Sequence, residues 1–253
     1  MKKTGTAMTL VACLWLSACD FRDSARSERF SSDFHYSYAL NPGGRLEVDN
    51  FDGPVEIAGW DEARCEISGT KYAGTPQMLE RLKVDVTASG NLIYVRSVRP
   101  AGESVGNLGV RYAIRVPRKV ELSRISSSNG EIRVLGTEGR AELETSNGSV
   151  TAEEVAGAMI VRTSNGAIRL EDKVVAEIRA HTNNGSIRVR LPAAASAKVR
   201  METNNGHVRS DFEPGDTQGK QHHRRQSLEE VIGGGGPLID LRTSNGSIEL
   251  LKM

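Results

Sequence analysis

In the second half of the chain, apolar residues alternate with polar ones, and Asn-Gly pairs interrupt the alternation at regular intervals. These pairs are Asn129-Gly130, Asn147-Gly148, Asn165-Gly166, Asn184-Gly185, Asn205-Gly206 and Asn245-Gly246. Successive Asn residues lie 18, 18, 19, 21 and 40 positions apart, the last gap spanning two periods. Four residues before the Asn stand Ile125, Leu143, Val161, Ala180, Met201 and Leu241. Three after it stand Ile132, Val150, Ile168, Ile187, Val208 and Ile248. Five after it stand Val134, Ala152, Leu170, Val189, Ser210 and Leu250. Two before it is always Ser or Thr: Ser127, Thr145, Thr163, Thr182, Thr203 and Thr243. A two-residue period marks a half-buried strand, so each unit reads as strand, tight corner, strand.

Asn-Gly between such segments admits two readings. One is a run of antiparallel hairpins. The other is a coil that winds on and stacks each turn on the last, with Gly and Asn chosen for their tolerance of positive φ. Near-identical residues recurring in one column favour the coil, because one unit is too short to bury its apolar face alone. The expected fold is therefore all-β, a parallel β-solenoid of about 18–21-residue coils with Asn-Gly corners, in one elongated domain over residues 34–253. Asp52-Gly53 fits the same template, with Val48, Val55 and Ile57 at the apolar positions. The 77 residues from Asp52 to Asn129 leave room for about four more coils, with strand-like runs at 64–70, 92–98 and 110–116. Thr75-Pro76 followed by Met78, Leu79 and Leu82 predicts one short helix capped by Thr75. Residues 210–237 lack an expected corner and hold His222-His223-Arg224-Arg225 and Gly233 to Gly236, which predicts a loop insertion leaving after Ser210 and returning at Leu238.

The N-terminus has another character. Lys2 and Lys3 precede a short apolar run, Ala7 to Leu16, too short to span a bilayer. It ends Leu16-Ser17-Ala18-Cys19, which resembles the lipobox of bacterial lipoproteins. That resemblance implies a signal peptide over residues 1–18, cleavage before Cys19 and lipidation of its sulfur. Asp20 resembles the signal that retains such proteins at the inner membrane, on the periplasmic side, in enteric-type bacteria. Residues 19–33, rich in Ser, Arg and Asp, read as the lipidated Cys and a flexible tether.

Charge narrows the partners. The chain carries 33 Lys+Arg and 32 Asp+Glu, and loss of residues 1–18 removes Lys2 and Lys3, leaving the mature side chains at −1. No global field draws nucleic acid. With Cys13 in the signal peptide and Cys19 lipidated, only Cys65 remains, so no internal disulfide is available, and it reads as a small apolar strand residue.

Gly43-Gly44-Arg45-Leu46-Glu47-Val48 leads into an Asx-Gly corner, residues 110–117 (VRYAIRVP) precede the first Ser-Asn-Gly, and Ser-Asn-Gly-x-Ile then repeats to the C-terminus. This set resembles the bacterial putative-adhesin family of β-strand-repeat domains of unknown function, over residues 34–253. The resemblance implies a single-chain β-solenoid at the cell envelope and carries over no catalytic residues.

Candidate chemistry is sparse. The acid pairs Glu153-Glu154, Glu171-Asp172 and Glu229-Glu230 fall near coil edges, where charged residues face water. A β-helix polysaccharide-active enzyme would need them gathered in one cleft. His222-His223 lies among Lys and Arg, which opposes cation binding, so no metal or cofactor is expected. The Asn and Ser/Thr columns read as structural, satisfying corner backbone groups and each other. One column stands out: four after the Asn come Arg133, Thr151, Arg169, Arg188, Arg209 and Glu249. It faces outward, and in sequence order Arg169, Arg188 and Arg209 would line up about 4.8 Å apart. Such a stripe suits an anionic glycan, lipid headgroups or an envelope protein. The leading expectation is a non-enzymatic, lipid-anchored envelope module presenting a binding or adhesion surface. An envelope-stress sensory lipoprotein and the β-helix enzyme stand as alternatives.

Overall fold

The computed structural model describes residues 30–100, 107–212 and 226–253. The expected signal peptide, Cys19, Asp20 and the His222-His223 cluster lie outside the described residues. The chain opens with β1 (Phe30–Ala39), β2 (Gly44–Asn50), β3 (Val55–Trp60), β4 (Arg64–Ala73), a short helix α1 (Pro76–Arg81), β5 (Lys83–Ser89), β6 (Leu92–Val98) and β7 (Leu108–Pro117). Paired strands follow: β8 (Val120–Ser127) with β9 (Ile132–Leu135), β10 (Ala141–Asn147) with β11 (Val150–Ala156), and β12 (Met159–Asn165) with β13 (Ile168–Val174). Then come β14 (Ile178–Asn184) with β15 (Ile187–Leu191), β16 (Ala197–Asn205) with β17 (Val208–Ser210), β18 (Ser227–Ile232) alone, and β19 (Leu238–Asn245) with β20 (Ile248–Lys252). Strand β1 already claims residues 30–33 of the expected tether. Thr75 caps α1 as its sequence predicts, its hydroxyl accepting from the Met78 N–H at 3.2 Å.

Two ten-stranded sheets result. The strand before each Asn-Gly lies in one, the leading sheet, ordered β18-β16-β19-β14-β12-β10-β8-β2-β6-β5. The strand after it lies in the other, the trailing sheet, ordered β1-β4-β7-β3-β9-β11-β13-β15-β20-β17. The repeated pairs stack in parallel and in register: Leu143 opposes Val161, Val161 opposes Ala180, Val150 opposes Ile168 and Ile168 opposes Ile187. Isolated antiparallel hairpins are thereby excluded for the repeats. One apolar core fills the space between the sheets, and the column four before the Asn is buried in every repeat. Ile132, Val150, Ile168, Ile187 and Ile248 are likewise fully buried, while Val208, in the last strand of its sheet, is only half-buried.

The stack does not follow chain order at either end. The pair β19/β20 lies between β14/β15 and β16/β17. Likewise β2/β3 lies between β6/β7 and β8/β9. The expectation of about four coils between Asp52 and Asn129 is corrected accordingly. Only β6 and β7 extend the parallel stack there, and β1, β4 and β5 pair antiparallel at that end. Solenoid ends leave unpaired strand edges, and antiparallel strands end the repeat register there. The other end has its counterpart in β18, antiparallel to β16 inside the segment expected to be loop. After β18 the chain must pass over β16 to reach the far side. Gly233, Gly235 and Gly236, all at positive φ, make that crossing, and a Cβ at Gly233 would strike the Ser196 hydroxyl. Residues 213–225 of the expected loop lie outside the described residues.

Candidate functional site

The corner edge carries two continuous hydrogen-bond ladders. Along the outside, Asn129 Nδ2 donates to Asp52 Oδ2 (3.1 Å) and Asn147 Nδ2 to Asn129 Oδ1 (2.8 Å). Asn165, Asn184, Asn245 and Asn205 continue in that order, each donating to the previous amide at 2.8–2.9 Å. A carboxylate accepts only, so Asp52 suits the position where the ladder needs an acceptor and no donor. Just inside, the Ser/Thr hydroxyls each donate to a glycine carbonyl of the preceding coil in the stack: Ser127 to Gly53, Thr145 to Gly130 and Thr163 to Gly148, each at 3.0 Å. Thr182, Thr243 and Thr203 do the same to Gly166, Gly185 and Gly246. These side chains are buried, so each bond satisfies a hydroxyl donor that would cost about 1–3 kcal/mol if left without a partner.

The reason for glycine differs from the one the sequence suggests. None of the six Asn residues has positive φ, and of the six following glycines only Gly246 does. What requires glycine is close approach. A Cβ on Gly130, Gly148, Gly166, Gly185, Gly206 or Gly246 would collide with the carbonyl oxygen of the neighbouring corner glycine. Asn serves the amide ladder, not a left-handed backbone.

The arginine column faces outward as expected, but the reordered stack changes its neighbours. Arg169 opposes Arg188, whereas Glu249 lies between Arg188 and Arg209, and Thr151 between Arg133 and Arg169. The uninterrupted stripe of Arg169, Arg188 and Arg209 is thus corrected to one adjacent pair. Arg188 bonds Glu249 at 2.7 Å, Arg209 bonds Asp211 at 3.1 Å and Arg133 lies 3.6 Å from Glu131. Arg169 makes no ion pair with any described residue. The same insertion has the opposite effect on the outer face of the leading sheet. The column three before the Asn mixes signs in chain order, yet in space Arg162, His181 and Arg242 stand consecutively. Arg162 pairs with Glu142 (3.1 Å) and Arg242 with Asp240 (2.9 Å). No sequence signal marks this row, because it exists only once β19 is placed beside β14.

The groups most able to do chemistry are buried. Cys65 is fully enclosed, and burial, with a smaller contribution from Glu66, pushes its thiol up to about 12. It therefore stays a protonated core residue at neutral pH. Asp172, also fully buried, accepts the Val174 N–H at 3.1 Å through Oδ1, while Oδ2 has no partner among the described residues. Loss of solvation raises its carboxyl to about 6, partly offset by the Val174 and Ala176 amides. Glu153, Glu154, Glu171 and Glu229 are distributed along the outer faces, where Glu154 pairs with Lys173 and Glu229 with Arg200. Among the described residues no group of three His, Cys, Asp or Glu could hold a metal ion, and no helix is long and apolar enough to cross a membrane.

Two stacked sheets, a shared core, and corner ladders of Asn and Ser/Thr define a β-solenoid-like repeat domain. The chain belongs to the Toastrack DUF4097 family, whose model matches residues 46–251. It is similar to a structure named a putative cell adhesion protein from Clostridium sporogenes, at 13% identity and a TM-score of 0.46, covering 88% of this chain and 100% of that one. A putative adhesin from Bacteroides fragilis matches at 10% identity and a TM-score of 0.36, over 88% and 97%. A protein from Parabacteroides distasonis named a putative lipid binding protein matches at 10% identity and a TM-score of 0.30, over 87% and 96%. No curated protein matches. None of these names is that of an enzyme.

Proposed function

We propose that the chain is a non-enzymatic module of the bacterial cell envelope, exported and held to the membrane by a lipid on Cys19. Its solenoid, wound in coils of about 18–21 residues with Asn-Gly at the corners, presents a flat rigid face to an anionic glycan or envelope protein. Asp20 adds the expectation of the inner membrane, periplasmic side. The surface in this reading is the outer face of the trailing sheet around Arg169 and Arg188. The observation that carries it is that these two exposed guanidinium groups stand side by side while Arg169 has no ion-pair partner among the described residues. Like charges opposite one another are locally unfavourable, so an anion seated there relieves repulsion as well as gaining attraction. Arg133 and Arg209 flank the pair; each of them, like Arg188 with Glu249, has an acidic neighbour, so the uncompensated charge of the column is that of Arg169.

The test is retention of the protein on anionic glycans and on vesicles containing anionic lipid at low salt. The double variant Arg169→Gln/Arg188→Gln should lose several-fold retention with its fold unchanged, and added salt should do the same to the native chain. Full retention by the double variant would remove this face from consideration.

A further inference from the structure

The six Asn-Gly dipeptides are chemically alike in an unfolded chain. In each, the glycine amide nitrogen, unshielded by a side chain, can attack the Asn Cγ. The nitrogen gives up its proton, the Cγ–Nδ2 bond breaks and ammonia leaves, closing a five-membered succinimide. Water then opens that ring at either carbonyl, giving Asp or isoaspartate. No oxidant or cofactor enters. The step needs a glycine N–H free to lose its proton and an Asn side chain free to turn onto the nitrogen.

The stack withholds both from most of the dipeptides. Gly148 N–H donates to Asn165 O (3.1 Å), Gly166 to Asn184 O (3.0 Å), Gly185 to Asn245 O (2.9 Å) and Gly246 to Asn205 O (3.0 Å). Only the N–H groups of Gly130 and Gly206 donate to no backbone carbonyl among the described residues. Asn129 is nonetheless held at both ends of its amide, donating to Asp52 and accepting from Asn147. Asn205 donates to Asn245 Oδ1 at 2.8 Å, and its own Oδ1 accepts from no described residue, because the strand beyond β16 is the antiparallel β18, which meets the backbone at Thr203 and Asn204 through Gln226 and brings no Asn to this position. Gly206 is also the one exposed glycine of the column.

From these contacts we infer that Asn205-Gly206 is the chain's site of spontaneous deamidation, and that coil stacking protects the other five. The position follows from the reordered stack. In chain order the last corner is Asn245, yet Asn245 is sandwiched between Asn184 and Asn205. The product matters for the end of the solenoid. A carboxylate at 205 has no hydrogen to give and would face Asn245 Oδ1, an acceptor, and isoaspartate adds a methylene to the backbone as well. Modification therefore unlatches the terminal β16/β17 pair from the amide ladder and adds one negative charge there.

The test is peptide mapping by mass spectrometry of the purified full chain, aged in mildly alkaline buffer at physiological temperature, with isoaspartate detected by enzymatic methyl transfer. A parallel sample is aged in denaturant. The native chain should convert Asn205 at least about tenfold faster than Asn165, Asn184 or Asn245, which react only after local opening, with Asn129 intermediate. The denatured chain should convert all six at similar rates. Conversion of Asn245 first, equal rates at all six corners of the native chain, or an intact Asn205 when the denatured sample has reacted would each overturn the inference.

Discussion

The middle of this molecule and its two ends are built from the same sequence unit but obey different rules. From β10 to β15 the chain stacks in the order it is written, every pairing is parallel, and each corner is locked by a neighbour on both sides. At each end one pair of strands is slotted between two pairs that are consecutive in the chain, and antiparallel strands close the sheets. A repeat buries its apolar face only against a neighbour, so a terminal unit is incomplete by construction. The difference is visible in one column: Ile168 is fully buried in the middle, whereas Val208 is half-buried in a three-residue strand with no neighbour beyond it among the described residues. A short outermost strand also offers little template for unwanted pairing.

The comparison breaks if the two positions respond alike. Ile168→Asp places an unpaired charge in the core and should cost on the order of 4–5 kcal/mol, enough to unfold a marginal domain. Val208→Asp, at the equivalent position of the end pair, should cost about 1 kcal/mol, because its side chain reaches water. Arg169→Asp, next to Ile168 but facing outward, should also be mild. Denaturant titration of the three variants supplies the ranking, and equal midpoints for Ile168→Asp and Val208→Asp would remove the distinction between middle and end.

A smaller effect sharpens the account of the middle. Asp172 sits within the ordered stack, near the end of β13, with one oxygen unpartnered among the described residues. Its carboxyl is raised to about 6 in the folded chain from an ordinary value of 3.8. Below the ordinary value both folded and unfolded states hold the proton, and the group is neutral in the core. Between 3.8 and about 6 the unfolded state gives up this proton while the folded state keeps it to avoid a buried charge, so stability present below 3.8 is lost across that window, by about 2–3 kcal/mol in all. Asp172→Asn should flatten this slope and raise stability at neutral pH by about 1–2 kcal/mol. A variant with the native slope would show that another group titrates there.

Much of the middle was legible in the sequence, because columns of identical residues at a fixed spacing state which positions lie on one another. The burial of Ile125, Leu143 and Val161, the outward face of Arg169 and the cap at Thr75 all follow from local pattern. The ends were not legible. Asn184, Asn205 and Asn245 carry near-identical units, so each could stack beside either of the others with the same contacts, and chain order was the only guide. That guide failed where the run from Gly233 to Gly236 lets the chain pass over β16. The failure propagates to the candidate site: Glu249 lands inside the arginine column, and Arg162, His181 and Arg242 meet on the opposite face. The need for glycine at the corners is not legible in the sequence, since the clash of a Cβ with the neighbouring coil depends on how tightly turns stack, which no single repeat reveals.

The reordered stack is the central claim, and a crosslink tests it directly. His181 in β14 opposes Arg242 in β19, and Arg242 opposes Glu202 in β16. Adjacent strands bring Cα atoms within the range a disulfide spans, whereas strands one removed stand roughly 9.6 Å apart, too far to bridge. All three positions are exposed, and the buried Cys65 is shielded from reaction. Under mild oxidation the double variant His181→Cys/Arg242→Cys should close a disulfide that peptide mapping locates between those two positions, while His181→Cys/Glu202→Cys should stay reduced. A disulfide in the second variant and none in the first would return the coils to chain order and contradict the account.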